Sequence, residues 1–125
     1  MIRKKILIVD DQPEMRQLVS FTLGYSNFEL SQASTAEKAL IYVRENKIDL
    51  IILDIMMPGP MNGFQLCRLL KDDPQYEAIK IILLSARDQP ADLEEGIKVK
   101  SDAYLVKPFS PVSLQKKVIE LLRKV

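Results

Sequence analysis

The sequence predicts an α/β fold in which a five-stranded parallel sheet is covered by helices on both faces. Short runs of consecutive apolar residues, such as 6–9 and 50–53, are typical of strands buried on both sides. Segments with helical periodicity lie between these runs, and this alternation is characteristic of βα repeats. We therefore expect residues 1–125 to form a single (βα)5 domain with no output domain visible.

Five apolar runs are the candidate strands. They have the usual length of a strand and occupy residues 5–9, 28–32, 50–53, 81–84 and 103–106. Right-handed crossovers between parallel strands are satisfied by the flavodoxin-like order 2-1-3-4-5. In that order strand 1 is central, and the carboxyl ends of strands 1, 3, 4 and 5 meet at one edge of the sheet.

The helices are predicted from caps and apolar spacing. Pro13 suits the first turn of helix 1, whose apolar spacing includes Leu18, and residues 34–37 have the pattern of a capping box before helix 2. In helix 4, at about residues 90–99, we expect Leu93 and Ile97 to face inward. The remaining expected core positions are Leu66, Cys67 and Leu70 in helix 3, and Leu114, Val118, Leu121 and Leu122 in helix 5, which follows Ser110 as cap and Pro111.

The composition excludes several classes of function. Eighteen basic and seventeen acidic residues leave a net charge of +1, which provides no general attraction to nucleic acids or membrane surfaces. The single cysteine excludes an internal disulfide and fits a reducing compartment. The chain has no histidine, so imidazole cannot serve as a metal ligand or catalytic base. We expect a cytoplasmic protein without direct nucleic-acid or membrane binding.

Polar side chains end four of the five predicted strands. Asp10 and Asp11 follow strand 1, Asp54 ends strand 3, Ser85 follows strand 4 and Lys107 follows strand 5. Ligand sites of open α/β sheets lie outside the carboxyl ends of the strands. Oxygen ligands without imidazole or thiolate favour Mg²⁺, and a carboxylate can be the nucleophile in phosphoryl transfer. The pattern predicts a Mg²⁺-dependent site with Asp54 as nucleophile and Lys107 and Ser85 stabilising phosphoryl oxygens.

Four of these residues also have a simpler explanation. Asp10 and Asp11 could cap helix 1, and Lys107 could lie in an ordinary turn. Ser85 could make only local backbone hydrogen bonds. Tyr104, on the predicted strand 5, could likewise be no more than a half-buried strand aromatic.

The motifs at the strand ends resemble those of receiver domains in two-component response regulators. The matching segments are residues 8–11, 53–58, 62–63, 84–86 and 104–109, within a resemblance that runs from about residue 5 to residue 122. The resemblance implies that Asp54 accepts a phosphoryl group from a histidine kinase or phosphotransfer protein. It also implies that Mg²⁺ is held by Asp11, Asp54 and the backbone carbonyl of Met56, with Asp10 assisting.

The same resemblance implies a conformational switch. Ser85 would move to the phosphoryl group, and Tyr104 would turn into the vacated space. This movement would remodel the face built from helix 4, strand 5 and helix 5, where a downstream effector would bind. A homodimer through this face is a further expectation, although Ser113 stands where some DNA-binding regulators that pair this way carry an acidic residue. We expect a signalling switch that takes part in its own phosphoryl transfer and slow autodephosphorylation.

Two departures from the family pattern affect the loops. The loop after Asp54 has one extra residue, most simply Pro60, which would reshape the rim of the pocket. Lys100 stands where the family usually has glycine, and a left-handed backbone there would cost about 1–2 kcal/mol, so we expect another turn geometry. We also predict that Met56 and Arg87 influence hydrolysis by controlling the access of water.

Three other classes of function are weighed against the receiver. A Mg²⁺-dependent aspartyl-phosphate phosphatase would need an acid–base aspartate two residues after Asp54, where Met56 stands. A flavodoxin-like nucleotide binder would need backbone donors after strand 1, where this chain has two aspartates and Pro13. A phosphorylation-independent scaffold remains open, because the residues of the pocket argue against it without excluding it.

Overall fold

The described chain consists of five strands that alternate with five helices. The computed structural model describes residues 3–24, 27–86 and 90–123, without the side chains of residues 90 and 91. The elements are β1 Lys4–Val9, α1 Pro13–Leu23, β2 Phe28–Ala33, α2 Ala36–Glu45, β3 Leu50–Asp54, α3 Gly63–Lys71, β4 Lys80–Ser85, α4 Pro90–Lys98, β5 Ala103–Val106 and α5 Pro111–Arg123. The parallel sheet has the predicted order β2-β1-β3-β4-β5, and each strand agrees with its prediction to within one residue at either end.

The register of the sheet brings the strand ends to one edge. Val9 pairs with Leu53 in β3, and Leu53 pairs with Leu83 in β4. Because side chains alternate between the two faces of a strand, the sheet has two cores. One core contains Leu7, Ile51 and Leu83 together with buried side chains of α2 and α3. The other contains Ile6, Ile52 and Ile82 packed against α1 and α5. Among the described helices, none has both the length and the apolar character needed to cross a bilayer.

The predicted core positions of the helices are largely confirmed. The three expected residues of α3 are fully buried, and Leu114, Val118 and Leu121 of α5 are buried as well. In α1, however, Leu18 is 47% exposed, while Val19 and Leu23 are completely buried. The inner face of α1 is therefore rotated away from Leu18, and the prediction for this residue is wrong.

The predicted capping box of α2 is also wrong. Thr35 is the N-cap residue, and its side chain accepts a hydrogen bond from the amide of Lys38. A lysine at that position cannot return a hydrogen bond as an acceptor, so the reciprocal half of the box is missing. The structure has a capping box at α3 instead, where Asn62 and Gln65 accept from each other's backbone amides at 2.9 and 2.8 Å.

Helix α4 presents a different face to the sheet than its apolar residues predict. Leu93 is 46% exposed and Ile97 is 70% exposed, so the expectation that they face inward is wrong. Gly96 is buried instead, and a Cβ atom on it would lie 3.4 Å from the ring of Tyr104 and 3.5 Å from Leu83. A Cβ atom at this position would make only ordinary van der Waals contacts, so Gly96 marks the face of α4 that packs on the sheet.

Lys100 adopts the left-handed backbone that the sequence analysis did not expect, with φ of 64°. The amide of Ser101 bonds to the carbonyl of Gly96, and the amide of Lys100 bonds to the carbonyl of Ile97, both at 3.1 Å. This pair of bonds defines a Schellman motif, which requires a left-handed residue directly after the helix. The turn therefore keeps its usual geometry, and the lysine bears the strain.

Candidate functional site

Three carboxylates converge at the carboxyl edge of the sheet. Asp10 and Asp11 follow β1, Asp54 ends β3, and one carboxylate oxygen from each lies within 4.8 Å of the others. Asp10 and Asp54 are buried, at 1% and 4% exposure, whereas Asp11 is exposed. The parallel strands thus bring together groups that are more than forty residues apart in the sequence.

The ammonium group of Lys107 joins two of these carboxylates. Its Nζ atom lies 3.2 Å from Oδ2 of Asp10 and 3.2 Å from Oδ1 of Asp54. The backbone amide of Lys107 donates to the carbonyl of Ser85 at 2.7 Å, so the lysine is fixed to the end of β4. The three carboxylates of the site therefore carry more negative charge than the single ammonium group can neutralise.

Burial and charge repulsion perturb the protonation of this cluster. Burial, followed by repulsion from the neighbouring Asp10, raises the pKa of Asp54 to about 6, although Lys107 acts in the opposite direction. Burial by itself would lower the pKa of Lys107, but Asp54 and Asp10 outweigh it and raise that pKa. Lys107 consequently stays charged, and Asp54 is mostly ionised at neutral pH. An ionised, partly desolvated carboxylate of this kind is suited to act as a nucleophile.

The backbone around Asp10 shows that this residue does more than cap α1. Gln12 is the N-cap residue and makes no side-chain capping bond. Oδ1 of Asp10 accepts from the amide of Gln12 at 2.9 Å, which leaves Oδ2 directed at Lys107. Arg16 donates to the Asp10 carbonyl at 2.7 Å. The sequence analysis did not identify Arg16, whose only signal is a basic residue one turn into the helix.

Ser85 ends β4, the strand next to the one that ends in Asp54. It is 2% exposed, and its hydroxyl donates to Oδ2 of Asp92 in the first turn of α4 at 3.2 Å. The simpler explanation, in which Ser85 makes only local backbone bonds, does not describe this side chain. The sequence analysis missed Asp92, because an acidic residue in the first turn of a helix is common without any ligand.

Tyr104, the predicted switch residue, is half-buried on β5 and packs against the core beneath α4. Its hydroxyl is buried and makes no hydrogen bond to any residue that the structure describes. Burial of an unsatisfied hydroxyl costs about 1–3 kcal/mol. The tyrosine therefore occupies a position that its apolar ring favours and its hydroxyl does not.

The loop after Asp54 forms the rim of the site. The Met56 side chain is 70% exposed, whereas Arg87 lies outside the described residues. Gly63 begins α3 directly over the acceptor strand, and a Cβ atom there would collide with the backbone of Asp54 and Ile55. Only glycine permits this approach. Gly59, in the lengthened loop between β3 and α3, has φ of 105°, which favours glycine.

The donor set of the cluster fits a hard divalent cation. Its oxygen ligands come from carboxylates, which Mg²⁺ prefers to nitrogen or sulfur ligands. Two of the three carboxylates are buried beside a single ammonium group, so a cation would relieve their mutual repulsion.

Comparisons with known proteins identify the family and agree with the fold. The family model for the response regulator receiver domain matches residues 6–119. The chain is 35% identical to the DNA-binding response regulator MtrA of Mycolicibacterium smegmatis, over 98% of this chain and 52% of that protein. It is 36% identical to the phosphate regulon transcriptional regulatory protein PhoB of Pseudomonas aeruginosa, over 99% of this chain and 54% of that protein. The chain thus spans about half the length of these two relatives.

A solved structure matches over nearly its whole length. The chemotaxis protein CheY4 of Vibrio cholerae superposes with a TM-score of 0.88 and 33% sequence identity, covering 96% of this chain and 99% of that chain. The family match and the shared fold lead to one conclusion: the chain belongs to the response regulator family and is a receiver domain, the phosphorylation-dependent module of two-component systems.

Proposed function

We propose that Asp54 is the phosphoryl acceptor of this receiver domain. The observation that carries the proposal is the Lys107 ammonium group 3.2 Å from Oδ1 of Asp54, at an edge shared with two further carboxylates. A nucleophilic carboxylate next to a fixed cation and a cluster of hard oxygen ligands is what phosphoryl transfer to an aspartate requires.

The transfer follows from the chemistry of these side chains. A carboxylate oxygen of Asp54 attacks the phosphorus atom of a phosphohistidine on the donor protein, an O–P bond forms, and the P–N bond to the imidazole breaks. Lys107 neutralises one phosphoryl oxygen, and the hydroxyl of Ser85 donates to another. Mg²⁺, held by Asp10, Asp11, Asp54 and the backbone carbonyl of Met56, would supply the charge that offsets the carboxylates and the incoming group.

The readout of this reaction is a change of surface. We propose that Ser85 and Tyr104 couple the site to the face formed by α4, β5 and α5, where an effector or a second copy of the chain would bind. The exposed side chains of Leu93 and Ile97 on α4 support this assignment, since apolar groups on a protein surface are candidates for contact with a partner. The kinase or phosphotransfer protein would meet the domain in the cytoplasm, at the carboxyl edge of the sheet.

The acceptor is tested by intact mass after incubation with Mg²⁺ and acetyl phosphate. We expect one phosphoryl group on the wild-type protein and none on Asp54→Asn. Asp72→Asn is the matched control, because it removes an exposed carboxylate at the end of α3 and should be phosphorylated normally. Chelation of Mg²⁺ should abolish the increment in every variant. An increment that persists in Asp54→Asn, or none on folded wild-type protein with Mg²⁺, would contradict the proposal.

A further inference from the structure

A side-chain hydrogen bond links the candidate phosphoryl site to helix α4. The hydroxyl of Ser85 donates to Oδ2 of Asp92 at 3.2 Å. Ser85 is almost completely buried, and Asp92 is half-buried in the first turn of α4. Hydrogen bonds to a carboxylate are stronger than those between neutral groups. The bond therefore ties the end of β4 to the helix that the proposed function requires to move.

We propose that Asp92 is a positioning residue that retains the hydroxyl of Ser85 on α4 until a phosphoryl group on Asp54 displaces it. The inference rests on the proposed function and adds that the Asp92 carboxylate competes with the phosphoryl group for the hydrogen bond of the Ser85 hydroxyl. A serine hydroxyl has a single hydrogen to donate. It can donate that hydrogen to Asp92 or to a phosphoryl oxygen, but it cannot make both bonds at full strength.

The position of Ser85 makes this competition direct. Its neighbour Leu84 pairs with Asp54 across the sheet, and its carbonyl accepts from the amide of Lys107. Ser85 thus ends the strand that lies between the strand of the acceptor and the strand of the lysine, and its hydroxyl is bonded to Asp92. When the hydroxyl leaves Asp92, the first turn of α4 loses a charge-assisted bond, and the carboxylate is left facing a phosphoryl group of the same sign.

The packing of α4 allows this local change to spread. Gly96, one turn after Asp92, lies against the ring of Tyr104. Glycine weakens a helix interior relative to alanine, and the Tyr104 hydroxyl is buried without a partner among the described residues. A shift of the first turn of α4 would therefore act on a helix and a tyrosine that are already weakly held.

Beryllofluoride, a mimic of the phosphoryl group on aspartate, provides the test. In the presence of Mg²⁺ the wild-type protein should bind it, as followed by titration of backbone amide resonances. Asp92→Asn keeps an oxygen acceptor but removes the charge, so we expect binding about threefold tighter. Asp92→Ala removes the acceptor altogether, and we expect binding about tenfold tighter.

Two further variants separate the proposed role from general effects. Glu94→Gln removes an exposed carboxylate from the same helix and measures the effect of net charge alone. Ser85→Ala removes the hydroxyl, so Asp92→Asn should have no additional effect in that background beyond the effect of Glu94→Gln. Unfolding midpoints establish that each variant is folded, and Asp92→Asn preserves the shape of the side chain if Asp92→Ala does not fold.

The outcomes are distinct. Tighter binding that disappears in the Ser85→Ala background supports the proposal. Equal tightening with and without the hydroxyl would overturn it, because Asp92 would then act through its charge. Unchanged or weaker binding by folded Asp92→Asn, with normal binding by the wild-type protein, would overturn the role of Asp92 and leave the proposed function intact. Failure of the wild-type protein to bind beryllofluoride would overturn both.

Discussion

At the scale of residues, the site depends on how one lysine is shared. Lys107 is within 3.2 Å of both Asp10 and Asp54, while Asp11 remains exposed. Three carboxylates and one ammonium group leave an excess of negative charge at a mostly buried edge. Such a cluster is destabilised by its own repulsion unless a cation or protonation relieves it.

Asp54→Asn should stabilise the metal-free protein in a pH-dependent manner. Burial raises the pKa of Asp54 from 3.8 to about 6 in the folded state. The folded state therefore binds the proton of Asp54 more tightly than the unfolded state does. The stability that this protonation provides is present at low pH and is lost as the pH rises from about 4 through 6. Relative to the wild-type protein, Asp54→Asn should therefore be stabilised by roughly 2 kcal/mol more at pH 7.5 than at pH 4.5.

Urea denaturation in chelator at the two pH values measures this difference. Glu94→Gln, which removes an exposed carboxylate, is the control and should show little change between the two pH values. If Asp54→Asn stabilised the protein equally at pH 4.5 and pH 7.5, ionisation of Asp54 would not destabilise the folded state, and the prediction would be wrong.

The sequence predicted which side chains meet, but not all of their partners. Asp54 and Lys107 follow apolar runs, and parallel strands bring such ends together whatever the loop details. Asp92 and Arg16 lie on helices, and their contacts depend on the rotation of each helix about its axis. That rotation is fixed by packing, which a single sequence does not reveal.

At the scale of elements, α4 shows where periodicity is ambiguous. Either of two faces of this helix could pack against the sheet. One face carries the apolar Leu93 and Ile97, and the other carries Asp92, Gly96 and Val99. The second face is the inner one, since Gly96 and Val99 are buried. This inner face includes the bond from Ser85 to Asp92 and leaves the two larger apolar side chains exposed, which hydrophobic patterning cannot anticipate.

The turn after α4 provides a stability test. Lys100 has φ of 64°, a conformation that costs a non-glycine residue about 1–2 kcal/mol. Lys100→Gly should raise the free energy of unfolding by about 1 kcal/mol, because relief of this strain exceeds the greater backbone entropy of glycine in the unfolded chain. Urea denaturation measures the change.

Lys100→Ala is the matched control for this turn. It removes the charge and the long side chain but retains the Cβ atom that causes the strain, so it should not reproduce the gain. Equal stabilisation by alanine and glycine would assign the effect to the lysine side chain rather than to the backbone.

At the scale of the whole molecule, the residues that form the cores and the residues of the candidate site lie in different parts of the parallel sheet. The two cores lie on opposite faces of the sheet, while the carboxylates occupy its edge. Strand order and the meeting of the three carboxylates with Lys107 at one edge were predictable, because both follow from alternating apolar runs and right-handed crossovers. The loop containing Pro60 and the turn at Lys100 were not, because they depend on local backbone geometry.

The central claim is that a phosphoryl group on Asp54 changes the face formed by α4, β5 and α5. Amide hydrogen exchange of the protein with and without acetyl phosphate, in the presence of Mg²⁺, tests it directly when occupancy is measured by intact mass. We predict altered exchange in α4 and β5, unchanged exchange in α2, and no change at all in Asp54→Asn. A protein that carries the phosphoryl group but exchanges identically over α4, β5 and α5 would contradict the account and favour a phosphorylation-independent scaffold.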